Sequence, residues 1–186
     1  MKTANIERYL NSVGKQVVKD AKIFLNKSKG ATKLANTIKY KVVPIGTLSN
    51  PSFSLEWSMA GYGQFVDKGV KGSRSRRYYK TWEGKRKDSP YKFGTGSSLV
   101  GKAKGGMSGI MSKWIKKKGF QWKDKETGRF MSHKSMGYII ARSIYSKGIH
   151  GISFFQKSLA LGMEGFSTGL AQALAQDVID NLKPTN

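Results

Sequence analysis

Between Gly69 and about Lys134 the chain changes character, and that change limits the folds open to it more than any other feature. Over this stretch hydrophobic periodicity fades and Gly and basic residues dominate. Nineteen Lys and Arg side chains stand against four carboxylates, Glu83, Asp88, Asp124 and Glu126, a local net charge of +15. Self-repulsion at that density opposes independent compact folding. Aromatic residues are nevertheless interleaved throughout, among them Tyr78, Trp82, Trp114, Phe120 and Trp122. Large aromatic rings favour burial or an interface over water, so the stretch is not a simple disordered tail. It reads as a long excursion, residues 71–133, carried by one domain spanning 1–186, and the expectation is that neighbouring molecules order it.

The flanks are where a core can form. Ile6, Leu10, Val13, Val17 and Phe24 recur at helical spacing and predict an N-terminal helix. Thr32 opens a short turn or helix toward Leu34 and Ile38. Lys39–Val43 has strand composition and stops at Pro44. From Ser52 to Met59 the alternation is strict, with Phe53, Leu55, Trp57 and Met59 on one face and Ser54, Glu56 and Ser58 on the other. Gly46 to Pro51 then reads as a hairpin connection. Beyond the excursion, Met136, Ile139, Ile140 and Ile144 predict a short helix ending at Gly148. Ser153 is a candidate N-cap for a final helix, in which Phe155, Leu159, Met163, Phe166, Leu170, Leu174, Val178 and Leu182 recur in steps of three and four. Gly162, Gly165 and Gly169 thin this helix, which suits close helix approach and requires packing to offset their low helix propensity. The order predicts an α+β fold: a small antiparallel sheet covered by an N-terminal helix and a long C-terminal helix, with a long basic insertion. The alternating apolar set is expected under the C-terminal helix, against Phe155, Leu159, Phe166 and Leu170.

The whole chain carries 34 Lys and Arg against 11 Asp and Glu, a net of +23 over 186 residues. A field of that sign attracts polyanions: nucleic acid, an acidic membrane face or an acidic protein. Cys is absent, which excludes disulfides and thiolate metal sites. No run of roughly 18 apolar residues suggests a spanning helix, and no apolar signal core follows Met1; the expectation is a soluble protein made inside the cell.

Sites for chemistry are sparse. Gly96–Lys102 matches the first seven positions of a phosphate-binding loop, but Ala103 stands where a magnesium-binding Ser or Thr belongs, and Lys104-Gly105-Gly106 reads as unfit to open the helix that would hold the phosphates. A flexible Gly-rich loop is the plainer reading. His133 and His150 lack a partner at metal-ligand spacing. No catalytic residue, cofactor or metal is expected. The candidate contacts to a polyanion or partner are Arg74, Arg76, Arg77, Lys85, Arg86, Lys87, Lys116, Lys117 and Lys118, and the candidate interface aromatics are Trp82, Trp114 and Trp122.

Two stretches resemble a known family. Gly61-Tyr62-Gly63-Gln64-Phe65-Val66-Asp67-Lys68-Gly69 is similar to a strand-end motif in which an aromatic-small pair precedes an aliphatic-acidic-x-Gly segment. Tyr138–Tyr145 through Gly148, followed by Gly151-Ile152-Ser153-Phe154-Phe155, resembles a short helix with an Ala-Arg-x-Ile core, a Gly turn and an aromatic pair opening the last helix. The family's usual Pro before that pair is Ser153 here. Thr32–Ile38 resembles the family's turn between first helix and first strand. These are features of the tail-completion or head–tail joining (neck) proteins of tailed bacteriophages. The resemblance covers roughly 1–70 and 134–183 and carries nothing over to the excursion. It implies a non-enzymatic virion protein forming a homo-oligomeric ring at the portal–tail junction, with portal, connector or tail proteins as partners and DNA in the channel as a further candidate. A free, sequence-nonspecific nucleic-acid-binding protein is the alternative expectation.

Overall fold

The computed structural model describes residues 3–28, 32–47, 52–93 and 106–183. The elements run α1 (Ala4–Asn26), α2 (Thr32–Ala35), β1 (Lys39–Pro44), β2 (Phe53–Ser58), α3 (Gly63–Lys68), β3 (Tyr78–Lys80), β4 (Arg86–Asp88), α4 (Gly106–Lys118), α5 (His133–Lys147), α6 (Phe154–Met163) and α7 (Phe166–Leu182). Helix and strand are mixed, with a two-stranded antiparallel sheet and helices at both ends, as the α+β reading expects. The chain divides into two compact units. The first is Met1–Asp67, Lys80–Arg86 and Ser153–Asn186; the second is Lys68–Tyr79 and Lys87–Ile152.

The first unit is built around α1. Its buried stripe is Ile6, Leu10, Val13, Val17, Ala21 and Leu25. Phe24, expected on that stripe, is only half-buried, because the helical period brings Ala21 and Leu25 to the core instead. The Phe24 ring lies under two ammonium groups, Lys27 at 5.9 Å and Lys157 at 6.0 Å. β1 and β2 pair in the register Tyr40↔Trp57, Val42↔Leu55 and Pro44↔Phe53, which puts these six side chains on one face. The connection closes with the Ile45 and Gly46 N–H groups donating to the Ser52 carbonyl.

That face does not pack under the C-terminal helices as expected. α6 and α7 pack on α1, and so does β1. At the β1 contact the Tyr40 ring lies so close to Gly14 that any β-carbon there would overlap it. The sheet meets the C-terminal helices through Trp57, set edge-on to Phe155 with ring centroids 6.1 Å apart. Leu55 and Trp57 are half-buried while Glu56 and Ser58 are exposed, so the strand faces the way its alternation predicts.

The expected single C-terminal helix is two. Gly165 adopts φ +69°, a left-handed conformation that ends one helix and starts the next. The other two glycines face α1: a side chain at Gly162 would overlap Val17, and one at Gly169 would run into the Tyr9 ring. Tyr9 also stacks obliquely on Phe166 at 5.8 Å and donates its hydroxyl to the Phe166 carbonyl at 3.1 Å.

In the second unit α4 packs along α5. Gly137 of α5 rests directly on the backbone at Ser108 and Ser112 of α4, and Ile115, Met136 and Ala141 are fully buried. This corrects the expectation that neighbouring molecules order the excursion: its helical part folds onto its own chain. It also corrects the reading of Gly106, which does open a helix. Ser132 caps α5, accepting the Ser135 N–H at 3.1 Å, and Gly148 (φ +73°) ends it where the sequence places the helix end. Val70 and Ile149 exchange two backbone hydrogen bonds of 2.9 Å.

Candidate functional site

The two stretches that carry the family resemblance contain a joint built on Asp67. Gly61–Gly69 forms a turn and the short helix α3 rather than a strand end. Asp67, 3% exposed, closes that helix inside the first unit. Its Oδ1 accepts the Phe155 N–H at 2.8 Å and its Oδ2 accepts from the Gln156 side chain at 3.3 Å, while its carbonyl accepts the Ser153 N–H at 2.9 Å. Asp67 therefore supplies the N-terminal cap of α6 from 88 residues away. Ser153, the expected cap, takes φ +50° and makes no side-chain cap bond; its Oγ instead accepts the Lys80 N–H at 3.3 Å.

A second borrowed cap holds α1. Thr3 makes no side-chain cap bond there. Asp177 of α7, 1% exposed, accepts the N–H of Asn5 at 2.9 Å and of Ile6 at 3.0 Å, and also the Asn5 side-chain amide at 2.9 Å. The nearby Asp180 carboxylate is held below its ordinary pKa by hydrogen bonds from Lys183, then Gln176 and Asn5.

The candidate contact residues fall in three groups. Arg74 and Arg76 are exposed and lead into β3 with Arg77, which is half-buried and takes the Ser89 N–H on its carbonyl at 2.7 Å. The β3–β4 hairpin carries Lys85, Arg86 and Lys87, all exposed, with Trp82 at its turn, 42% exposed. That turn is closed by Thr81–Lys85 bonding and by Gly84 at φ +81°, and the Trp82 N–H donates to the Gln156 side chain at 3.1 Å. Lys85 pairs with Glu83 at 3.0 Å. The third group is the last turn of α4, where Lys116, Lys117 and Lys118 are exposed and oppose the negative end of the helix dipole. Trp114 on the same helix tilts against Phe120 at 5.3 Å. Trp122 follows, in a small hairpin where Lys123 bridges Phe130 and Asp124 accepts the Glu126 and Thr127 N–H groups. None of the three tryptophans is buried, so each still presents a face.

Among the described residues no group of three His, Asp or Glu side chains is placed to hold a metal ion. Gly96–Lys102, the phosphate-loop-like stretch, lies outside the described residues. A groove of about 450 Å³ on the first unit is lined by Glu7, Asn11, Tyr40, Lys41, Val42, Pro44 and Phe53. Among the described residues no helix is long and apolar enough to cross a membrane.

One surface was missed in the sequence. Leu174, Val178 and Leu182 were assigned to a core stripe, yet they are 46%, 41% and 78% exposed. Compared with known protein families, curated proteins and solved structures, the chain gives no match.

Proposed function

We propose that this chain is a structural subunit of a tailed-phage virion, part of a homo-oligomeric ring in the neck or tail at the portal–tail junction, acting in head–tail connection or tail completion. The observation that supports this reading is the Asp67 joint. In Gly61–Gly69 and Gly151–Phe155, the stretches from which the resemblance was drawn, the acidic residue of one caps the helix that opens at the aromatic pair of the other. A motif whose two parts serve one another structurally fits a scaffold protein better than a catalyst. Portal, connector or tail proteins are the proposed partners. Purified virions, examined by peptide mass spectrometry and electron microscopy, should contain the protein in stoichiometric copies at the neck or tail. Recovery from infected-cell lysate alone, with none in particles, refutes the proposal.

A second reading, a free sequence-nonspecific nucleic-acid-binding protein, draws on the exposed Arg74, Arg76, Lys87 and Lys116–Lys118. It requires affinity for duplex DNA that falls linearly in log–log form with salt. Weak binding with a shallow salt slope would exclude it.

A further inference from the structure

We infer that the outward face of α7 is a self-association seam, where the helix pairs with α7 of a second copy of this chain. The inference concerns the free protein and does not depend on the head–tail reading. One side of α7 is spent within the subunit: Asp177 is buried, and Gly169 and Ala173 are half-buried beside it. The opposite side carries Ala171, Ala175, Val178 and Leu182, all exposed. Their spacing of four, three and four is that of the apolar seam positions of paired helices. Leu174 and Ile179, 46% and 50% exposed, flank the seam where charged residues usually sit.

Charge decides the occupant. The chain carries 34 Lys and Arg, but from Ser158 to Leu182 there is none. The carboxylates in that segment lie off the seam or are engaged: Asp177 caps α1, and Asp180 bonds Asn5, Gln176 and Lys183. Two copies of a +23 molecule repel, and this face without cations is where close contact adds least to that repulsion. A polyanion gains nothing from a face without cations. A membrane surface is also a poor occupant, since interfacial helices carry Lys and Arg on the polar side and α7 has neither. The four seam residues and the two that flank them expose roughly 500 Å² per copy, about 1,000 Å² for a pair when all of it is covered, the low end for a specific interface, which implies a modest affinity.

The test is the oligomeric state of the nuclease-treated full chain by sedimentation. The expected result is a dimer at about 100 µM protein that persists or strengthens when salt is raised to about 0.5 M, where repulsion between copies is screened. Val178→Asp and Leu182→Asp should abolish the dimer with the circular dichroism spectrum unchanged, and Lys116→Glu should leave it intact. Because the chain has no Cys, Ala175→Cys and Val178→Cys, alone and mixed, provide an independent readout: mild oxidation should give a disulfide-linked dimer. A wild-type monomer at that concentration, a dimer that survives both Asp substitutions or dissolves in salt, or the failure of every thiol combination to cross-link would each overturn the inference.

Discussion

Removing the Asp177 carboxylate should destabilise the first unit through the far end of a different helix. Asn5 and Ile6 are among the first four residues of α1, whose N–H groups have no partner inside the helix. Asp177 accepts both, at 2.9 and 3.0 Å, and places negative charge at the positive end of the helix dipole. Loss of a cap costs about 1 kcal/mol. Ile6 is only 7% exposed, so its N–H would be left without water, which costs a further ~1–3 kcal/mol. These contributions overlap, and Asp177→Ala is expected to cost about 2–3 kcal/mol. At roughly 2–4 °C per kcal/mol for a chain of this size, the melting temperature should fall by about 5–10 °C. Asp177→Asn keeps one acceptor oxygen and should cost about half as much. Thermal and urea melts followed by circular dichroism measure both. An alanine variant within about 1 °C of wild type, smaller than any of these costs allows, would falsify the capping argument, as would an asparagine variant as unstable as the alanine one.

Three further outcomes follow from the geometry. Gly14→Ala, which in an open helix would stabilise, should destabilise by about 1–3 kcal/mol because the new methyl overlaps the Tyr40 ring; a urea midpoint that rises instead would refute it. Ile115→Ala should cost about 2–5 kcal/mol in the isolated protein and raise hydrogen exchange across α4, since Ile115 is fully buried without any second molecule; unchanged exchange would mean that α4 is not folded on α5. Asp180 and Asp124 both have pKa values lowered below 3.8, Asp180 by the Lys183 hydrogen bond first and Asp124 by the Thr127 backbone N–H first. Their contribution to stability is therefore complete above pH 3.8 and lost as pH falls from there through the lower folded values. Carboxyl titration by NMR should show both midpoints depressed and Lys183→Met should return Asp180 toward the ordinary value; a midpoint already at that value in the wild type contradicts the assignment.

How much of this was legible follows the range of the interactions. Short-range patterns carried α1, the β1–β2 pair and α5, because a stripe or an alternation is complete within one segment. The turn at Gly148 was legible for the same reason, since a glycine after a helical pattern stands for its left-handed cap. α4 was missed although Met107, Ile110, Met111, Trp114 and Ile115 stand at helical spacing; the surrounding Lys and Gly masked a pattern that was present. The β3–β4 hairpin offered little to find, because its three-residue strands hold mostly charged and exposed side chains. The two capping carboxylates were out of reach: nothing local to Asp67 or Asp177 indicates that its acceptors are needed 88 or 171 residues away. The basic contact residues and tryptophans were easy to name from composition, but their grouping depends on turns that composition does not encode.

The C-terminal glycines show why residue type alone misjudged the most informative surface. Gly162, Gly165 and Gly169 read alike in sequence, as small positions thinning one long helix. In the fold, Gly162 and Gly169 admit Val17 and Tyr9 of α1, whereas Gly165 breaks the helix with a left-handed residue. A continuous helix would carry the stripe from Phe155 to Leu182 along one side, and one partner would bury all of it. The break uncouples the halves. In α7 the core side is then held by Gly169 and Ala173, which bring the helix close, and by Asp177, which ties it to the start of α1. Beyond Phe166 and the half-buried Leu170, the intramolecular contact is made by small residues and a carboxylate, and Leu174, Val178, Ile179 and Leu182 turn outward. An exposed apolar row on a helix anchored in this way is the kind of patch that marks an interaction surface, which is why the seam is placed there.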